Sequence, residues 1–159
     1  MSRKILVAVD EGEESIHALS WCLKNVVSSG KITVIVLYVM PHRTVYAPMD
    51  GTGYLFSDEI VESIEKHGQE VAESVVKTAK SVYDEMKNVD VDLEIKIERG
   101  DARDVICDAV EKLGCYMLVI GSHGYGAFKR TFLGSVSDYC AHNANCPVLI
   151  VKKPKDQSL

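Results

Sequence analysis

Five short stretches of this chain are continuously apolar or alternate apolar with polar residues, and the stretches between them repeat their apolar positions every three or four residues. KILVAVD (4–10), ITVIVLYVM (32–40), VDLEIKIE (91–98), YMLVIG (116–121) and PVLIVKK (147–153) predict strands. Three of them are almost wholly apolar and β-branched, the mark of parallel strands covered on both faces. Ile16, Leu19, Leu23, Val26 and Val27 keep one face of a helix that stops at Ser28-Ser29-Gly30. Ile60, Ile64, His67, Val71, Val75, Val82 and Met86 keep a face from about 58 to 87. At 1.5 Å per residue that helix would run roughly 45 Å and overhang a sheet at its ends. Asp101 and Asp104 stand in capping-box spacing at a third helix start, with Asp in place of the usual Glu. Val105, Ile106, Ala109, Val110 and Leu113 follow, and Gly114 can supply a left-handed cap. A last helix covers about 135–143, ahead of Asn145-Cys146-Pro147.

Strand and helix alternating in this way predict an α/β fold, a three-layer α/β/α sandwich with right-handed crossovers. The 159 residues suit a single domain over 1–159, with a core from 3 to 153 and a flexible tail at 154–159. Two segments break the rhythm, residues 41–57 and the glycine-containing 122–134. Loops of this length inside a domain are usually functional or disordered.

Charge and cysteine content narrow the class. Lys and Arg number 18 against 23 Asp and Glu, a net charge of −5, which argues against a general nucleic-acid binder. The longest apolar run, 32–40, is far too short to span a bilayer, and MSRKILVAVDE does not read as a signal peptide. The expectation is a soluble cytoplasmic protein with no membrane partner, nuclear entry left open. The five cysteines (Cys22, Cys107, Cys115, Cys140, Cys146) show no C-x-x-C pair and no zinc spacing, so all read as small buried hydrophobes.

Ligands of open parallel sheets bind at the carboxyl ends of the strands, where strand order reverses. The fourth strand exits into GSHGYGAFKRTFLGSVSDYC, which gathers Gly121, Gly124, Gly126 and Gly134 ahead of Ser135 at a helix start. Glycines let backbone N–H groups approach an anion, and a helix N-terminus adds unpaired donors and a positive dipole end. The stretch therefore reads as a phosphate cradle, or else as a surface loop with glycines at its turns. Neither the Walker string nor G-x-G-x-x-G is present.

The string Gly121-x-x-Gly124, nine residues, then Gly134-Ser135 resembles the G-2x-G-9x-G-[S/T] signature of nucleotide-binding universal stress proteins. KILVAVDE with Ser15 and Ala18, GDARDVICDAV and CPVLIVKK are similar to that family's opening, third-helix and closing segments. The insert after the second strand looks most like plant single-domain members. The resemblance implies a Rossmann-like five-stranded parallel sheet in the order 3-2-1-4-5. It also implies an adenine nucleotide as ligand, ATP or AMP with ADP possible, and Mg²⁺ arriving only with ATP rather than in a protein cage. Carried over position by position, Gly121, Ser122, His123, Gly124, Gly134, Ser135, Val136 and Ser137 surround the phosphates. Asp10 binds the ribose, Ala8 and Val9 line the adenine side, and the backbone of Val39 reads the adenine edge. Lys129 and Arg130, inside the spacer, read either as a clamp over the polyphosphate or as a solvated surface pair. His123 reads as a loop-positioning residue rather than a general base.

Three function classes follow. A phospho-receiver lacks its acceptor Asp, because the third strand exits through Glu98-Arg99-Gly100-Asp101. An enzyme, at most a weak Mg-dependent ATPase at the same site, lacks an identifiable arginine finger or water-positioning residue. No catalytic residue is assigned. The preferred reading is a stress-response protein that binds nucleotide and acts as a sensor or switch through dimerisation and unknown protein clients. In the implied order the third and fifth strands are edges. Glu94, Lys96 and Glu98 guard the third, whereas Val148, Leu149, Ile150 and Val151 leave the fifth open to pair with a second copy.

Overall fold

The computed structural model describes residues 2–27, 30–42, 58–86, 90–125 and 133–154. Its elements alternate as the sequence pattern requires: β1 (Arg3–Val9), α1 (Glu13–Asn25), β2 (Ile32–Met40), α2 (Asp58–Glu85), β3 (Val91–Arg99), α3 (Ala102–Leu113), β4 (Met117–Gly121), α4 (Ser135–Asn143) and β5 (Val148–Val151). The five strands form one sheet in the order β3-β2-β1-β4-β5, every pairing parallel. At the centre Val7 lies opposite Val36 of β2 on one side and Val119 of β4 on the other.

Side chains alternate across a strand, so the apolar runs of β1 and β2 feed two separate cores. Ile5, Val7, Val9, Val34, Val36 and Tyr38 pack against α1 and α2. Leu6, Ala8, Ile35, Leu37 and Val39 pack against α3 and α4. The chain leaves β1 toward β2 and β3, then returns to place β4 on β1's other flank. The reversal of strand order therefore falls between the carboxyl ends of β1 and β4.

Several boundaries differ from the sequence reading for physical reasons. Helix α1 ends at Asn25, with Val26 as its cap, short of Ser28-Ser29-Gly30. Helix α2 is 28 residues long, about 42 Å, whereas the nine residues of β2 reach only about 30 Å. Its buried residues are Ala72, Val75 and Ala79, all in the second half. Ile60 and Ile64, on the predicted apolar face, are 45% and 56% exposed because the first turns project beyond the sheet. Asp101 caps α3 by accepting from the backbone N–H of Arg103 at 3.0 Å, and the Arg103 guanidinium folds back onto the same carboxylate. Gly114 closes that helix in the left-handed conformation at φ 64°, a geometry that a Cβ disfavours.

All five cysteines are free. Cys107 of α3 and Cys140 of α4 bring their sulfurs to 3.9 Å. Among the described residues, no helix is long and apolar enough to cross a membrane.

Candidate functional site

Asp10 follows the last residue of β1, and the turn into α1 is built on its carboxylate. Its Oδ1 accepts from the Gly12 backbone N–H at 2.7 Å and lies 3.1 Å from the Ser15 hydroxyl. The Asp10 N–H in turn donates to Ser15 Oγ at 2.9 Å. Oδ2 reaches across to the β4 exit and accepts from the Tyr125 N–H at 2.9 Å. A Cβ on Gly124 would come within 3.2 Å of that same oxygen, so glycine lets the loop lie against the carboxylate.

Ser122 is the junction of the site. Its N–H donates to the carbonyl of Val151 at the end of β5. Its own carbonyl accepts from the Gly134 N–H at 2.7 Å and from the Ser137 hydroxyl at 2.8 Å. Gly134 is the N-cap of α4, and a Cβ there would meet Ser122 O at 3.1 Å and His123 Cα at 3.2 Å. The first bond within α4 runs from Asp138 N–H to Gly134 O. The N–H groups of Ser135, Val136 and Ser137 are thus left without an acceptor among the described residues, as at any helix head lacking a side-chain cap. Ser135 is exposed, Val136 half-buried and Ser137 buried.

Ala8 and Val39 share the layer that faces α3 and α4. Val9 points into the opposite layer, so its side chain cannot line a base lying on the Ala8 face. Met40 gives its carbonyl to Gly100 on the β3 side. Backbone groups alternate along a strand, so Val39 turns its N–H and C=O toward the β1 side, level with the end of β1. Val148, Leu149 and Ile150 lie half-buried on the outer strand, with Val151 buried. Lys129 and Arg130 lie outside the described residues.

The sequence reading missed Glu14. From the first turn of α1 its Oε2 accepts from Ser122 Oγ at 3.0 Å and from the His123 N–H at 2.9 Å, and it lies 3.6 Å from His123 Nδ1. With the Ser122 hydroxyl donating to Glu14, a hydrogen bond across the 3.1 Å between Ser122 Oγ and His123 Nδ1 requires the hydrogen to be on Nδ1. Nothing local signals this arrangement, because 108 residues separate Glu14 from Ser122 and acidic residues are ordinary in a first helical turn.

A separate cleft of about 180 Å³ opens on the α1/α2 side, lined by Asp10, Glu11, Ile16, Val71, Ser74, Val75 and Thr78. It shares only Asp10 with the predicted site. Burial, reinforced by Glu11 and Asp10, pushes the nearby Tyr38 phenol up and keeps it neutral. Among the described residues, no group of three or more His, Cys, Asp or Glu side chains could hold a metal ion.

The family model described as Universal stress protein family matches residues 1–152. The chain belongs to the universal stress protein family. It is 33% identical over 162 residues to universal stress protein PHOS32 of Arabidopsis thaliana, covering 98% of this chain and 66% of that relative, just under two thirds of its length. The fold matches that of UspA from Lactobacillus plantarum with a TM-score of 0.77 at 18% identity, over 94% of this chain and 97% of the other. It also matches a universal stress protein family member from Arabidopsis thaliana, solved with AMP bound, with a TM-score of 0.68 at 24% identity, over 99% and 95% of the two chains. A five-stranded parallel sheet in the order 3-2-1-4-5 is the architecture shared with these universal stress proteins.

Proposed function

We propose that this universal stress protein binds an adenine nucleotide at the crevice between β1 and β4 and acts as a nucleotide-dependent switch. The observation that carries this reading is the head of α4. Three backbone N–H groups, those of Ser135, Val136 and Ser137, lack acceptors among the described residues, beside a glycine turn packed against Asp10. Helix dipole and orphan donors together suit a phosphate there. Asp10 Oδ2 retains acceptor capacity for a ribose hydroxyl, since a carboxylate oxygen can take two hydrogen bonds. The small side chain of Ala8 leaves room on the sheet face for a flat base, and the Val39 backbone reads its edge. The AMP-bound relative supports the ligand class, and ATP, ADP and AMP share the chemistry these groups recognise. Mg²⁺, where ATP is bound, comes in on the phosphates. The protein works in the cytoplasm, and its clients are other proteins. A second copy pairs through β5. Weak ATP hydrolysis at the same site is the competing reading, and it needs a released-phosphate assay.

The deciding experiment is calorimetric titration of AMP, and of ATP with and without Mg²⁺, into nucleotide-stripped protein and Ser135→Glu. Ser135 is exposed at the first position of α4, so a carboxylate there occupies the anion's place while favouring the helix dipole. Binding to the native chain that weakens by about a hundredfold or more in Ser135→Glu, with a melting temperature unchanged or higher, supports the site. The stabilisation expected from the added carboxylate is about 0.3–1 kcal/mol. No heat from the native chain, or undiminished binding in the variant, defeats the reading.

A further inference from the structure

Glu14 occupies the second position of α1, where a carboxylate ordinarily does no more than complement the helix dipole. Its side chain instead leaves the helix and crosses to the β4 exit, where it is only 21% exposed. One oxygen, Oε2, collects the Ser122 hydroxyl and the His123 N–H. The backbone supports the same approach. A Cβ on Gly121 would sit 3.1 Å from both the carbonyl carbon and the oxygen of Glu14, so glycine at 121 is what lets this turn of α1 close on β4.

From Ser122 the network continues to the proposed anion site. The Ser122 carbonyl holds the Gly134 N–H and the Ser137 hydroxyl, which set the direction of the first turn of α4. Releasing Glu14 frees the Ser122 side chain and the peptide between Ser122 and His123, and with them the carbonyl on which α4 is hung.

We propose that Glu14 is a positioning residue for the nucleotide's phosphate group: it fixes the Ser122–His123 peptide, and through it the head of α4, without touching the ligand. The proposal rests on the nucleotide-binding reading above and assigns a part in it to a residue outside the glycine signature. Positioning depends on the reach of the side chain and on its acceptor oxygen, whereas a dipole role depends on charge. Two variants separate them. Glu14→Gln keeps the reach and an acceptor but loses the charge. Glu14→Asp keeps the charge and draws the carboxylate back by one methylene.

AMP titration into the native chain, Glu14→Gln, Glu14→Asp and Glu13→Ala, with melting temperatures recorded for each, is the test. Glu14→Gln is expected to bind within about threefold of the native chain, because an amide oxygen still accepts from the Ser122 hydroxyl and the His123 N–H. Glu14→Asp is expected to lose tenfold or more, and Glu13→Ala, which removes a carboxylate from the same turn, to lose nothing. The reverse order, with Glu14→Asp native-like and Glu14→Gln impaired, would overturn the assignment in favour of charge alone. Equal affinity across all four would overturn it as well. Backbone amide spectra of ligand-free protein supply a readout independent of AMP. Glu14→Asp, but not Glu14→Gln, is expected to move the resonances of His123, Ser135, Val136 and Ser137. If the native chain binds no AMP, the nucleotide reading falls, and these spectra still decide whether Glu14 holds the head of α4.

Discussion

Burial at single positions has chemical consequences in this protein, and the thiols show it most directly. Desolvation pushes Cys22 and Cys140 up to about 12, and it raises Cys107, Cys115 and Cys146 as well. At pH 8 a thiol titrating near 12 is ionised in about one molecule in ten thousand, and only the thiolate reacts. Iodoacetamide at pH 8, followed by peptide mass analysis, is therefore expected to leave Cys22 and Cys140 unmodified, while half-buried Cys107 and Cys146 react first. The unfolded chain releases these protons from about pH 9, whereas the folded chain holds them until near 12. Their contribution to stability is thus complete below about pH 9 and falls between there and 12, which a series of alkaline melts will register. Burial of Cys22 was legible because it sits among apolar residues at helical spacing, whereas Cys107, in a similar pattern, is only half-buried. Asp10 was legible for a different reason, since a carboxylate ending an apolar strand marks the strand's exit. Glu14 was not, because its partners are 108 and 109 residues away and reach it only once β1 and β4 lie side by side.

Among the elements, β2 and α4 fall on their predicted limits, the first because its apolar run is interrupted only by Thr33 and Tyr38 and the second because Gly134 and the residues before Pro147 punctuate it. Helix α2 teaches the opposite lesson. Its apolar stripe is continuous from Ile60 to Met86, yet the sheet beneath ends well before the helix does. A stripe records which face is apolar and carries no information on how long the covering surface will be. The consequence can be measured by hydrogen exchange. Amides from 62 to 70, in turns that lack buried contacts, are expected to exchange at least tenfold faster than those from 72 to 82, which lie over Ala72, Val75 and Ala79. Equal protection along the helix would mean that something covers its first turns in solution.

At the scale of the whole molecule, the sheet presents two edges of different character. Glu94 and Glu98 are exposed along β3, whereas β5 offers Val148, Leu149 and Ile150 with no charge on the strand. If the proposed pairing through β5 is correct, Leu149→Lys and Ile150→Lys will each convert a dimer to a monomer by light scattering at micromolar concentration. A dimer that survives both substitutions must be built elsewhere. The strand order itself was legible only through resemblance, since five alternating strands and helices are compatible with several windings. Ser122 gives the edge a further meaning. Its N–H holds the last residue of β5 while its carbonyl holds the head of α4. A pairing that shifts β5 therefore pulls on the same residue whose carbonyl sets the geometry of the proposed anion site. Free-energy coupling of this kind runs equally in both directions. To whatever extent a second copy alters the affinity for nucleotide, nucleotide alters the affinity for the second copy, and the proposed pairing, joined to the proposed site through the one residue Ser122, would make the protein's concentration a variable in how it reads its ligand.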